Sequence, residues 1–205
     1  MMKFNVDLEI PVMESFYTIQ GEGYHSGRAA YFIRTAGCDV GCVWCDVKES
    51  WDAVPSQIKP ISEIIEEVST SKTDFVVITG GEPTMYDLGP LTKALKTIGM
   101  EIAIETSGAY PISGEFDWIC LSPKKFKMPL EENYELADEL KMIIYNQHDF
   151  KWSAELAKKV NPSCKLFLQP EWEKEEQMLP FIIDYVKQNI DWKISLQTHK
   201  YLNIP

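Results

Sequence analysis

The sequence predicts an α/β fold, a parallel sheet curled into an incomplete barrel, over one domain that takes in all 205 residues. Three observations carry this. Short β-branched segments alternate with amphipathic helical ones, the pattern of parallel strands joined by crossovers. Several connections are too short for a full helix, which argues against a closed eightfold barrel. Unusual polar residues recur just after the strand segments, at the carboxyl ends where barrels and open α/β sheets place their chemistry.

Taken in order, segment 30–35 is short, apolar and aromatic, and reads as a buried strand. Ile61, Ile64, Ile65 and Val68 recur at helical spacing, with Glu63, Glu66 and Glu67 on the other side. Segment 74–78 is a second strand, and Leu88, Leu91, Leu95 and Ile98 then mark a helix that Gly99 closes. Strands are expected at 101–105, 117–121 and 139–144, the first two separated by a turn through Gly108, Pro111 and Gly114. Asp149 is placed to cap a helix reaching about residue 160. Strands at 165–169 and 192–197 close the series, around a helix centred on Met178, Leu179, Ile182, Ile183 and Val186. Pro180 inside it predicts either a start or a kink there. No repeat, low-complexity tract or linker divides the chain.

Composition excludes several functions. Thirty-one acidic residues oppose twenty basic ones, for a net charge of −11 with no basic block, so a nucleic-acid partner is not expected. No apolar run approaches the roughly 18 residues of a membrane span. Residues 1–10 carry Lys3, Asp7 and Glu9 and lack the pattern of a secretory leader. A cytoplasmic globule with reduced thiols and a small-molecule substrate is the expectation.

Three of the five cysteines fall within eight positions, as Cys38-x3-Cys42-x2-Cys45. Three thiolates with no fourth nearby suit an iron–sulfur cluster that leaves one iron open to a ligand, whereas electron-transfer clusters use four cysteines. A zinc site is the alternative, with Asp39, Asp46 or the distant His25 as fourth ligand. Cys120 and Cys164 sit in apolar segments and read as core. Further polar groups follow the strand segments: Thr79-Gly80-Gly81-Glu82-Pro83, Thr106-Ser107, Ser122-Pro123-Lys124, Gln169-Pro170 and Gln197-Thr198-His199-Lys200. Gly-Gly is also a common turn signal, and Ser107 also suits a turn.

The cysteine loop and Gly80-Gly81-Glu82-Pro83 resemble the radical S-adenosylmethionine (SAM) superfamily, whose open iron takes the methionine part of SAM. The resemblance implies a modified partial TIM-type barrel, a [4Fe-4S] cluster on Cys38, Cys42 and Cys45 as the catalytic centre, and SAM near Glu82 and Ser107. The segments 15–24 (SFYTIQGEGY), 32–38 (FIRTAGC) and 122–124 (SPK), with the closing run 197–205 (QTHKYLNIP), resemble a narrower family, 7-carboxy-7-deazaguanine synthase. That family converts 6-carboxy-5,6,7,8-tetrahydropterin to 7-carboxy-7-deazaguanine with loss of ammonia, on the route to queuosine, and is a radical SAM carbon–nitrogen lyase. It implies a homodimer and a one-electron donor such as a flavodoxin.

Residue by residue, the resemblance places Ile19, Gln20 and Gly21 along the pterin and Glu22 on its edge. Arg34 would take the substrate carboxylate, with Thr79, His199 and the carboxylate of Pro205 completing the site. Trp44, Cys45, Asp46, Gly80, Gly81, Ser122, Pro123, Lys124 and Gln169, Pro170, Glu171 and Trp172 would lie against SAM. Arg34 could instead form a strand-end ion pair, and His199 could be a surface histidine. Many family members carry Thr or Ser after the Cys-Asp pair, where its hydroxyl helps to hold Mg2+. Here Val47 offers no side-chain oxygen, so a weakened or lost magnesium site is expected, with Lys48 supplying charge instead. The rival functions are a radical SAM activase that places a glycyl radical on a protein partner, and a non-catalytic zinc-stabilised module.

Overall fold

The computed structural model describes residues 8–205; the amino-terminal reading of residues 1–7 lies outside them. Nine strands form one sheet: β1 (Glu9–Ile19), β2 (Ala29–Thr35), β3 (Ile58–Pro60), β4 (Phe75–Gly80), β5 (Glu101–Thr106), β6 (Trp118–Leu121), β7 (Glu139–Ile144), β8 (Lys165–Pro170) and β9 (Trp192–Ile194). The order is β3-β1-β2-β4-β5-β6-β7-β8-β9. From β2 onward every neighbour is parallel, while β1 pairs antiparallel with both β2 and β3. The helices are α1 (Ile61–Ser69), α2 (Gly89–Thr97), α3 (Glu131–Leu136), α4 (His148–Leu156), α5 (Glu175–Gln188) and α6 (Thr198–Leu202). No helix among the described residues is long and apolar enough to cross a membrane.

Strand alternation decides which side each residue serves. Val76, Ile78, Ile102 and Ile104 pack with Ile64, Val68, Leu91 and Leu95 of α1 and α2. Leu140, Met142, Ile144 and Leu168 pack with Leu156 of α4 and Met178 and Ile182 of α5. The intervening residues face inward. At the strand starts these are apolar, with Phe75, Val77 and Ala103 clustered together, but Glu105, Glu139 and Lys141 also alternate inward, so the interior is partly polar.

Among the described residues no β-ladder joins β9 to the β3-β1 side of the sheet. Instead the loop after β1 meets the segment after β9. Thr198 donates from its N–H and its hydroxyl to the Gly21 carbonyl at 3.0 and 2.8 Å, and the Gly23 N–H donates to Ser195 Oγ at 2.9 Å. An adjoining contact runs from Thr18 Oγ1 to the Pro205 carbonyl at 3.3 Å. A side chain on Gly21 would not fit, since its Cβ would lie 2.3 Å from His199 Nδ1.

Several sequence expectations need correction. Asp149 lies inside α4 rather than capping it: its Oδ2 accepts from the Tyr145 and Asn146 N–H groups upstream, both at 2.8 Å, and the helix stops at Leu156. Of the two alternatives at Pro180, the start is excluded, since α5 begins at Glu175; the proline lies inside the helix on its exposed side, where water can replace the missing internal bond. Leu179 and Ile183 do not share the burial of Met178 and Ile182. The last strand stops at Ile194, and the whole of β1 is absent from the sequence reading. Cys120 and Cys164 are buried as expected.

Candidate active site

The carboxyl ends of the strands open into one cavity of about 520 Å3. Cys38, Cys42 and Cys45 follow β2 and line its wall as free, half-buried thiols. Backbone contacts shape their loop. Gly37 and Cys38 donate to the carbonyls of Ser50 and Trp51 at 2.6 and 3.0 Å, and Tyr86 Oη donates to the Ala36 carbonyl at 2.8 Å. Trp44 stacks on Tyr145, ring centroids 5.3 Å apart. Burial raises the Cys38 and Cys42 thiols, and Lys124 opposes the rise at Cys42. An electropositive cluster would reverse that balance and hold thiolates.

The zinc alternative lacks its fourth ligand. Lys127 and Tyr110 occupy the Asp39 carboxylate, with Lys127 Nζ at 2.8 Å, and Lys200 Nζ occupies Asp46 at 2.9 Å. His25 lies elsewhere, among Tyr24, Phe75 and Trp118. Three thiols on one wall fit a multi-iron cluster, in which each iron takes one cysteine.

The Gly-Gly-Glu segment is strapped to the cysteine loop. Gly81 donates to the Thr35 carbonyl at 3.0 Å and Glu82 to the Gly37 carbonyl at 2.9 Å. A Cβ at Gly81 would stand 2.3 Å from the Gly37 oxygen, so only glycine allows this approach. Glu82 is 1% exposed and its carboxylate accepts from Thr84 (N–H 3.1 Å, Oγ1 2.6 Å), Thr106 Oγ1 and Ser107 (N–H 2.8 Å and Oγ). Five donor groups from three residues fix this carboxylate on the cavity wall, where it can receive an ammonium group. Across the cavity, Glu171 is buried and its Oε2 has no partner among the described residues. An unmet carboxylate oxygen on this wall suits a polar ligand such as SAM.

The opposite half is built on Lys141. Its side chain, 4% exposed, projects inward from β7 and donates to Glu22 Oε2 at 2.5 Å and Glu105 Oε2 at 2.8 Å. Gln20 Nε2 donates to Glu105 Oε1 at 2.8 Å, and Gln197 Nε2 to Glu22 Oε1 at 2.9 Å. Burial alone would raise the Glu22 carboxyl, but Lys141 and Gln197 outweigh it and hold it at about 2. Burial lowers His199, which therefore stands neutral beside Gly21, with Glu22 opposing the shift. Arg34 does form an ion pair, its Nε with Glu14 at 2.7 Å, and it also lines the cavity, where a guanidinium suits a carboxylate.

Of the site residues expected from sequence, Pro123 is the exception: it is buried but does not line the cavity, whereas its neighbours Ser122 and Lys124 do. All the others line it. Glu105 and Lys141 also line it and were missed, and Lys200, noted only within the polar run 197–200 and given no role, lines it too. Lys141 and Glu105 had a signal, a charge at an inward position of an otherwise apolar strand. The magnesium site does not fit these residues. Val47 lines the cavity without an oxygen to offer, and the Asp46 carboxylate beside it is taken by Lys200. Lys48 is exposed and outside the lining, so the local positive charge comes from Lys200.

Comparison with known proteins defines the class first. The profile of the Radical SAM superfamily matches residues 32–161, from β2 past α4, so the chain carries a radical SAM domain. It is 58% identical over 199 residues to 7-carboxy-7-deazaguanine synthase of Flavobacterium psychrophilum, covering 96% of this chain and 93% of the relative. Against the enzyme of that name from Synechocystis the identity is 49% over 194 residues, covering 95% and 93%. The crystal structure of QueE from Escherichia coli superposes with a TM-score of 0.83 at 29% identity, over 92% of this chain and 93% of that one. The chain belongs to the 7-carboxy-7-deazaguanine synthase family.

Proposed function

We propose that this protein is a radical SAM carbon–nitrogen lyase that turns 6-carboxy-5,6,7,8-tetrahydropterin into 7-carboxy-7-deazaguanine and ammonia, in queuosine precursor synthesis. The observation that carries it is one cavity with three free cysteines on one wall and an ordered carboxylate–lysine cluster on the other. Cys38, Cys42 and Cys45 would hold the [4Fe-4S] cluster, and Glu82, Ser107, Ser122, Lys124, Gln169 and Glu171 would face SAM. Bound together, these groups supply one-electron hydrogen-atom abstraction.

The chain's own residues orient and shield. Glu22 is ionised and held by Lys141, so it presents an acceptor to the N–H edge of the pterin. Arg34 offers its guanidinium to the planar carboxylate. Gly21 and His199 close the side, and Trp44 and Trp172 add apolar wall that keeps water from reactive species. Lys200, near Asp46, supplies the cationic charge that Mg2+ would otherwise bring, so the reaction is read as independent of magnesium. A flavodoxin-type electron donor and a homodimeric assembly belong to the same reading and rest on the family resemblance.

The test is anaerobic reconstitution followed by incubation with the carboxypterin, SAM and a reductant. The deazaguanine acid and ammonium are the expected products. Full cluster loading and SAM binding without either product would sink the assignment, and radical formation on a protein partner would point to an activase.

A further inference from the structure

Beneath the large cavity lies a second of about 10 Å3, close to the smallest volume that holds one water. Gln20, Glu22 and Glu105 line both, so these three side chains are the wall between them. The far side is formed by His25 and Glu139 with Phe75 and Trp118. Phe75, Trp118 and Glu139 begin β4, β6 and β7, so this cavity sits at the barrel end opposite the cysteines.

Two atoms here lack partners among the described residues, His25 Nε2 and Glu139 Oε1. Glu139 is 2% exposed, and its other oxygen accepts from the Tyr24 N–H and from Trp118 Nε1, both at 3.1 Å. A buried polar atom left unmet costs about 1–3 kcal/mol, and native folds meet such atoms with protein or ordered water. The aromatic part of the wall offers no acceptor or further free donor. His25 itself is half-buried and lines the cavity.

We propose that this cavity holds one water joining His25 Nε2 to Glu139 Oε1, and that His25, the water and Glu139 form a proton path from the strand-start end of the barrel to the Glu22–Lys141–Glu105 cluster under the substrate. The functional half rests on the lyase reading: nitrogen leaves as ammonia and is released at neutral pH as ammonium. One solvent proton enters for each ammonium formed, no electrons move along the path, and His25 and Glu139 return to their starting states. Burial raises the Glu139 carboxyl against the pull of Lys141, with Glu105 adding to the rise, and lowers His25, whose facing charges are Glu101 and Arg28. In both groups burial disfavours the charged form. Tyr24 and Cys120 are the other titratable groups beside the pair, the latter with its thiol raised by burial.

The test has two arms. A high-resolution crystal structure of the reconstituted wild-type protein should show one water within hydrogen-bond reach of both atoms; a dry cavity, or direct contact between His25 and Glu139, overturns the proposal. In the second arm, His25→Ala, His25→Gln and Glu139→Gln holoenzymes are assayed with deuterated carboxypterin. Deuterium transfer into the nucleoside product of SAM should persist, ammonium release should fall about tenfold or more, and added imidazole should rescue His25→Ala. Wild-type ammonium release in the variants, or equal loss of both steps without rescue, rejects the path. If the wild type itself releases no ammonium, the lyase reading fails, while the water is still judged by the first arm. Should Glu139→Gln not fold, the two His25 variants carry the second arm.

Discussion

Lys141→Met removes the cation from a cluster whose two carboxylates cannot reach bulk water freely. The Lys141 side chain is 4% exposed and those of Glu22 and Glu105 are 15% and 21%. Breaking a buried pair by removing one partner costs about 3–5 kcal/mol, because the other charge stays behind uncompensated. For a chain of this length that corresponds to a fall in Tm of roughly 10 °C. The pH dependence gives a sharper reading. In the wild type Glu22 is held at about 2 against an ordinary 4.5, so its contribution is present above 4.5 and lost as pH falls from 4.5 through 2. That contribution is about 3 kcal/mol. Without Lys141, burial acts on Glu22 with much less opposition and pushes its carboxyl upward. A raised carboxyl contributes below its unfolded value and loses that contribution as pH rises, so the slope should invert. Urea unfolding of both proteins between about pH 3 and 7 tests this, and Glu22→Gln with Glu105→Gln in the Lys141→Met background should restore much of the loss. A midpoint within about 1 kcal/mol of wild type, with an unchanged slope, would refute the reasoning.

Other outcomes follow from the same geometry. Alanine at Cys38, Cys42 or Cys45 should abolish turnover and lower iron and sulfide content after reconstitution, with little change in the melting of the cluster-free protein; normal turnover would remove the cluster assignment. Turnover of the unaltered chain should survive a chelator, Val47→Thr should make it respond to added Mg2+, and Lys200→Met should lower it at least tenfold, with strong magnesium dependence of the wild type as the contrary result. Gly81→Ala places a Cβ 2.3 Å from the Gly37 oxygen. It should destabilise by about 1–3 kcal/mol and impair cluster retention, whereas Gly27→Ala, where nothing lies within 4 Å, should leave the cluster intact and reports only the strain of positive φ.

Sequence periodicity located the parallel strands because both their faces are buried, so that they read as largely apolar runs: in Phe75 to Ile78, Val76 and Ile78 pack on helices while Phe75 and Val77 fill the barrel interior. The antiparallel strand β1 escaped it. Glu9–Ile19 mixes exposed Glu14, Tyr17 and Ile19 with buried Ile10 and Val12, and its register shifts between Val12 and Glu14, so neither alternation nor a continuous run is present. At the site, the strand-end motifs were legible because a ligand needs polar groups where strands stop. Lys141, by contrast, lies within a strand, and its meaning depends on Glu22 and Glu105, which are distant in sequence. The zinc option could be weighed only once Lys127 and Lys200 were seen on Asp39 and Asp46.

The seam between β1 and the segment after β9 is made by Gly21, Gly23, Ser195 and Thr198, neighbours of the very side chains that would touch the pterin. A sheet sealed by a ladder would stay shut whether or not a guest were inside. This one is fastened from within, so occupancy and fastening are a single equilibrium, and amide exchange over residues 195–205 should slow in proportion to bound substrate.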